Sequence, residues 1–246
     1  MLAIIAGSGL SPLAELYAAR KEIMRTPFGD PSSALLFGKM SDKEVVFLAR
    51  HGHGHTISPH EVNYRANIWA LKECGVTKIV SVASAGAIND KFSVGQLVCP
   101  HQLIDYTSGR KATFSEGAYQ AILHIDFTEP FDESLRLALL NAAQSAKIAM
   151  HQQAVCAVTQ GPRLETAAEI NRLAKDGAEI VGMTNMPEAI LARELNLAYA
   201  AINIITNQAA GRFNAEHKIT LEHLEEVQHQ AMLTIQALLQ AFLKAP

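Results

Sequence analysis

Apolar residues in this chain fall into short unbroken runs, separated by longer stretches in which they recur at helical spacing. An unbroken apolar run of strand length suits a strand covered by helices on both faces. Runs of this kind predict strands over 2–6, 44–49, 78–84, 96–104, 153–158, 179–183 and 198–206. Between them, helical spacing predicts a helix over 60–74 that Gly75 stops, one over 132–147 with a leucine-rich face, and one over 166–176 that Gly177 stops. Pro187 opens a further helix at the position proline favours, and a last helix runs from Thr220 to the end, with Thr220 as its N-cap. The expected fold is α/β: one domain over 1–246 with a mixed, largely buried central sheet flanked by helices.

Composition narrows the partners. With 246 residues, 49% of them hydrophobic, the chain can bury a large core. A formal net charge of -3 lacks the basic footprint of a nucleic-acid binder, so no nucleic-acid partner is expected. The start of the chain meets Gly7 after one short apolar run, so neither a signal segment nor a membrane partner is expected. Cys74, Cys99 and Cys156 have no paired spacing and read as reduced core residues of a cytoplasmic protein.

Polar and glycine-rich segments punctuate the predicted strand ends. Gly7-Ser8-Gly9 follows the first strand and suits either an anion cradle or a plain tight turn; Pro12 replaces the third glycine of a dinucleotide fingerprint. Arg50-His51-Gly52-His53-Gly54-His55 follows the second predicted strand, where open α/β sheets bind ligands. Alternate histidines could hold a metal, but an arginine beside a histidine suits phosphate better, and no metal is expected. Small residues at Ala83-Ser84-Ala85-Gly86 would let backbone approach a flat ligand, or simply let a helix pack closely. Gly161-Pro162-Arg163-Leu164-Glu165-Thr166 sits at a strand-to-helix junction, where Glu165 or Thr166 could just cap a helix. Met183-Thr184 and Thr206-Asn207 end two further strands with groups that are either turn formers or site residues.

Taken together and in order, these segments resemble the trimeric purine nucleoside and methylthioadenosine phosphorylase family. Further matches are Asn63-Tyr64-Arg65-Ala66-Asn67, Gln102-Leu103-Ile104-Asp105-Tyr106-Thr107 and His124-Ile125-Asp126-Phe127. Within the family the chain resembles the bacterial methylthioinosine phosphorylase branch. The resemblance implies phosphate ligands at Ser8, Arg50, His51, Ser84 and Thr184, and substrate contacts from Ala85, Gly86, Met183 and Ala209. It also implies a homotrimer in which His124 reaches a neighbouring subunit's site. Inorganic phosphate is then a co-substrate, and no cofactor is expected. One departure stands out: Ala83 occupies a position where methylthioadenosine enzymes carry a hydroxyl.

Base and sugar preference follow from chemistry at matched positions. Glu165 can accept from the N1-H of a 6-oxopurine but would oppose the N1 lone pair of adenine, and Asn207 can donate to O6 or N7. Asn207, Glu165 and His51 are therefore the expected catalytic residues. Thr220, Leu221 and Leu224 match the end of the site that receives the sugar's 5' group, and the two leucines suit a methylthio substituent; with the alignment shifted by a few residues, His217 or His223 would instead bind a 5'-hydroxyl. The expected reaction is phosphorolysis of S-methyl-5'-thioinosine in purine salvage. The alternatives are a general inosine and guanosine phosphorylase, a methylthioadenosine phosphorylase, a metal-dependent hydrolase built on the histidines, or a non-catalytic nucleoside binder.

Overall fold

The computed structural model describes residues 1–7, 18–116, 122–212 and 221–245. Its strands in chain order are β1 (Leu2–Ala6), β2 (Ala18–Glu22), β3 (Leu35–Met40), β4 (Lys43–Ala49), β5 (Lys78–Ala87), β6 (Leu97–Val98), β7 (Gln102–Asp105), β8 (Met150–His151), β9 (Val155–Val158), β10 (Ile180–Gly182) and β11 (Ala198–Gln208). The helices are α1 (Tyr64–Glu73), α2 (Glu133–Ser145), α3 (Ala167–Lys175), α4 (Asn185–Glu194) and α5 (Leu221–Lys244). All the strands join one mixed sheet, in the order β2-β3-β4-β1-β5-β10-β9-β7, with β11 on the other side of β5 and leading to β6 and β8.

Alternate side chains of a strand face opposite ways, and β1 shows why its run is wholly apolar. Ala3 and Ile5 join a cluster that includes Ile68 and Leu71 of α1 and Leu191 of α4. Leu2, Ile4 and Ala6 join another that includes Leu139 of α2 and Ile235 and Leu239 of α5. Both faces are covered, so no polar alternation survives. Cys99 and Cys156 lie in this interior, where burial pushes their thiols up to about 12.

Two expectations need correction, and two strands add to them. The predicted 60–74 helix begins only at Tyr64, because the Asn63 side chain accepts from the Ala66 N-H and caps it there. The predicted 96–104 strand is two strands, β6 and β7, interrupted at Pro100, which has no N-H to offer a ladder. The β2 and β3 strands were not foreseen. They extend the sheet edge beyond β4, where polar, exposed positions such as Arg20 and Lys21 hide the strand pattern. The β3–β4 hairpin turns on Ser41 and Asp42, both left-handed (φ 50° and 61°), without the glycine that usually marks such a turn.

The β5 strand creates the site. One of its edges pairs with β1 as far as Val82 and resumes with β10 at Gly86. Between those points Ala83, Ser84 and Ala85 meet no strand on that edge among the described residues, and the sheet is open there. On its other edge β5 pairs with β11, whose register slips between Ile205 and Asn207. Such a bulge re-aims the following side chain, and here it brings Asn207 opposite Gly86.

Candidate active site

A cavity of about 380 Å³ fills the opening, and Gly7, Ala83, Ser84, Ala85, Gly182 and Thr184 are among its walls. Its size is within the range of roughly 300–1,000 Å³ common for small-molecule sites. Arg50 and His51 lie at one end; Glu165, Met183 and Asn207 also line it.

Arg50 follows directly from β4 and is 1% exposed. Its Nε donates to Glu188 Oε1 at 2.5 Å and its Nη2 to Glu188 Oε2 at 3.1 Å. Ser81 Oγ and Tyr199 Oη also donate to Oε2, each at 2.9 Å. Burial by itself lowers the Arg50 pKa, but the attraction of Glu188 more than offsets it, and the guanidinium is held charged. The remaining nitrogen, Nη1, lies 3.3 Å from the Val82 carbonyl and 4.0 Å from where a Cβ on Gly7 would stand. The cation is thus anchored from behind and presents one nitrogen towards the Gly7 side of the cavity. Glu188 was not foreseen as a site residue. Its signal was a lone carboxylate inside the apolar run Met186-Pro187-Glu188-Ala189-Ile190-Leu191-Ala192.

His51 Nδ1 lies 2.8 Å from the Ile57 carbonyl, which can only accept, so Nδ1 carries the proton. Burial first, then the Arg50 charge, lowers the His51 pKa to about 4, despite the Ile57 carbonyl. The ring is therefore neutral at neutral pH. His55 packs against it, ring centroids 4.5 Å apart, and also lines the cavity.

Thr184 stands at the start of α4, but its hydroxyl makes no cap hydrogen bond to that helix. It is buried and lines the cavity. Ser84 Oγ accepts from Nε2 of Gln228, a residue of α5 that sequence reasoning missed. Gln228 and Met232 lie one turn apart on α5 and both line the cavity.

The far end is built by the segment after β9. Glu165 does not cap α3. Thr166 does, in a reciprocal capping box with Glu169, which leaves the Glu165 side chain to line the cavity. Its Oε1 accepts from Thr159 Oγ1 at 2.6 Å. Gly161, at φ +59°, passes so close to Met183 that an added Cβ would lie 2.5 Å from the Met183 sulfur. Asn207 Nδ2 donates to the Gln208 carbonyl at 2.8 Å, and Thr206 Oγ1 donates to Asn207 Oδ1 at 3.1 Å. A carbonyl cannot donate, so these bonds fix which end of the amide is NH₂. Gly86 makes room for it: a Cβ there would lie 3.1 Å from Nδ2.

Arg110 ties the segment after β9 to the segment after β10. Its Nη1 donates to the Met183 and Met186 carbonyls, at 2.7 and 2.6 Å. Its Nη2 donates to the Gln160 and Thr159 carbonyls, at 2.8 and 3.3 Å. The sequence motifs did not mark this residue.

Other expected residues lie elsewhere. Ser8 and Thr220 fall outside the described residues, as do the side chains of Leu221 and Leu224 at the start of α5. Ala209 is buried behind Gly86, with its N-H on the Ala87 carbonyl, rather than on the cavity wall. His124 is exposed and is not among the residues that line the cavity. Among the described residues, no three His, Cys, Asp or Glu side chains are grouped to hold a metal ion. No helix among them is long and apolar enough to cross a membrane.

An open sheet edge whose cavity is lined by a buried arginine, a carboxylate and an amide fits enzymes that bind an anion together with a nucleoside. Residues 1–244 match the phosphorylase superfamily, and the chain belongs to that family. Among its relatives is a probable S-methyl-5'-thioinosine phosphorylase of Pseudomonas syringae pv. tomato, 46% identical over 99% of this chain and 98% of its own. The 6-oxopurine nucleoside phosphorylase of Pyrococcus furiosus is 44% identical over 85% of this chain and 80% of its own. Methylthioadenosine phosphorylase from Schistosoma mansoni, solved with adenine, superposes with a TM-score of 0.93 at 32% identity, covering 98% of this chain and 90% of that one.

Proposed function

We propose that this enzyme cleaves S-methyl-5'-thioinosine with inorganic phosphate, giving hypoxanthine and 5-methylthioribose 1-phosphate. The observation that carries this reading is the pairing of the Glu165 carboxylate with a preset Asn207 donor in one cavity, with a buried arginine beyond them. An acceptor and a donor so placed complement the N1-H and the O6 or N7 of a 6-oxopurine. Relatives named for methylthioinosine and for 6-oxopurine nucleosides support the same base class.

In this reading Arg50, His51, Ser84 and Thr184, with Ser8, hold phosphate beside C1' of the sugar. The glycosidic bond breaks towards a cationic sugar, which the phosphate dianion stabilises and then attacks. Asn207 stabilises the departing purine as negative charge develops on it, and Glu165 fixes the base plane. Nothing here demands a cofactor. The thioethers of Met183 and Met232 make part of the wall soft and apolar, which suits a methylthio group. A broader preference for inosine and guanosine is the second reading, favoured by the polar Gln228 amide on α5. We place the enzyme in the cytoplasm as a homotrimer, with the exposed His124 of one subunit completing the 5' end of the next site.

Phosphorus NMR tests the reaction. Methylthioinosine and phosphate should yield a sugar 1-phosphate resonance at a rate unaffected by chelators. Hypoxanthine release with no change in the phosphate signal would replace phosphorolysis by hydrolysis.

A further inference from the structure

The two base-facing side chains are fixed differently. For Asn207 a backbone carbonyl settles the orientation. Among the described residues no backbone group fixes Glu165 in that way; the Thr159 hydroxyl donates to its Oε1 at 2.6 Å.

Thr159 is itself rigidly placed. Its N-H bonds the Gly182 carbonyl at 2.9 Å, and its own carbonyl accepts from Arg110 Nη2 at 3.3 Å. Its Oγ1 lies 3.4 Å from the Gly182 carbonyl as well as 2.6 Å from Glu165, so the hydroxyl sits between two acceptors. This arrangement controls both protonation states of the glutamate. When Glu165 is ionised, Thr159 donates to Oε1, and Oε2 remains an acceptor. When Glu165 takes up a proton, Oε1 can carry it and donate to Oγ1, which turns its own proton to the Gly182 carbonyl. The second oxygen is an acceptor in either state.

We infer that Thr159 is a specificity-determining residue, keeping the base-facing oxygen of Glu165 an acceptor and so selecting purines that carry a proton on N1. The inference rests on the proposed role of Glu165 against the base. A 6-aminopurine could be tolerated only by a glutamic acid donating from that oxygen, and Thr159 provides a better place for the proton. Thr159 touches no reacting atom; it acts through Glu165.

The test measures kcat/KM for methylthioinosine and for methylthioadenosine in wild type, Thr159→Val and Thr159→Ser. Each ratio comes from one preparation, so the folded fraction cancels. The ratio should favour methylthioinosine in wild type and fall at least about tenfold in Thr159→Val, the scale of one hydrogen bond to a charged group. Thr159→Ser should restore it to within about twofold, since its hydroxyl repeats the bond. A strong wild-type preference left unchanged by Thr159→Val, with both substrates slowed equally, would overturn the inference and leave the role of Glu165 standing. A wild-type ratio near one would overturn that role and the inference with it.

Discussion

Replacing Glu188 with Gln removes one charge from a buried pair while nearly preserving its shape. Arg50 is 1% and Glu188 0% exposed, so neither charge can turn to solvent. Arg50 Nε meets Oε1 and Arg50 Nη2 meets Oε2. Whichever oxygen becomes NH₂ therefore faces an arginine N-H that it cannot accept. Hydrogen bonds to charged groups contribute about 1.5–3 kcal/mol each, and removing one partner of a buried pair costs about 3–5 kcal/mol. The expected loss is at the upper range, because the Ser81 and Tyr199 hydroxyls must also reorganise. Urea denaturation at neutral pH should show a stability loss of about 3–5 kcal/mol, and the melting temperature should fall by roughly 6–20 °C for a domain of this size. The KM for phosphate should rise in the same variant as Arg50 loses its anchor. A loss below about 1 kcal/mol, the scale of an exposed ion pair, would refute the claim that Glu188 holds Arg50.

Protonation of His51 gives a pH dependence. Its pKa falls from an ordinary 6.5 to about 4 in the folded chain, so the unfolded state binds more protons between those values. Its stabilising contribution is complete above about pH 6.5 and declines as pH falls towards 4, by roughly 3 kcal/mol; His51→Gln should flatten that part of a stability-against-pH curve, and an unchanged slope would contradict the assignment. Asn207→Ala should lower kcat by about 10²- to 10³-fold with little change in phosphate affinity, whereas small and equal changes would remove Asn207 from leaving-group stabilisation. Asn207→Asp should shift the measured substrate preference towards 6-aminopurines, and an unchanged preference would count against Asn207 as the purine donor. Gly161→Ala should raise the nucleoside KM and lower the melting temperature, because its Cβ would collide with the Met183 sulfur at a positive φ; wild-type values for both would show that the loop has room.

Much of the fold was legible because the interior strands are apolar on both faces, as the division of β1 between two clusters shows. The β2 and β3 strands escaped for the opposite reason: they lie beyond β4 at the sheet edge, and their turn is made by Ser41 and Asp42 rather than glycine. Local motifs located Arg50, His51, Thr184 and Asn207 because each stands at or beside a strand end, and Glu165 because it stands just before a helix cap. Glu188, Gln228 and Arg110 reach the site or its supports only through tertiary contacts, and Thr159 through a side-chain bond to Glu165 that no motif marks. Glu188 bonds a residue 138 positions away, and Gln228 one 144 positions away. No spacing rule in one sequence reports such pairs. The chain could not reveal, either, that β5 has an unpaired stretch at Ala83 to Ala85, since that depends on where β1 stops and β10 begins.

The most direct measurement is hypoxanthine or adenine release from methylthioinosine, inosine and methylthioadenosine, each with and without phosphate. Phosphate-dependent release should be fastest from methylthioinosine and should fall to background when phosphate is omitted. Release that proceeds equally without phosphate, or that favours methylthioadenosine, would contradict a 6-oxopurine phosphorylase built on Arg50, Glu165 and Asn207.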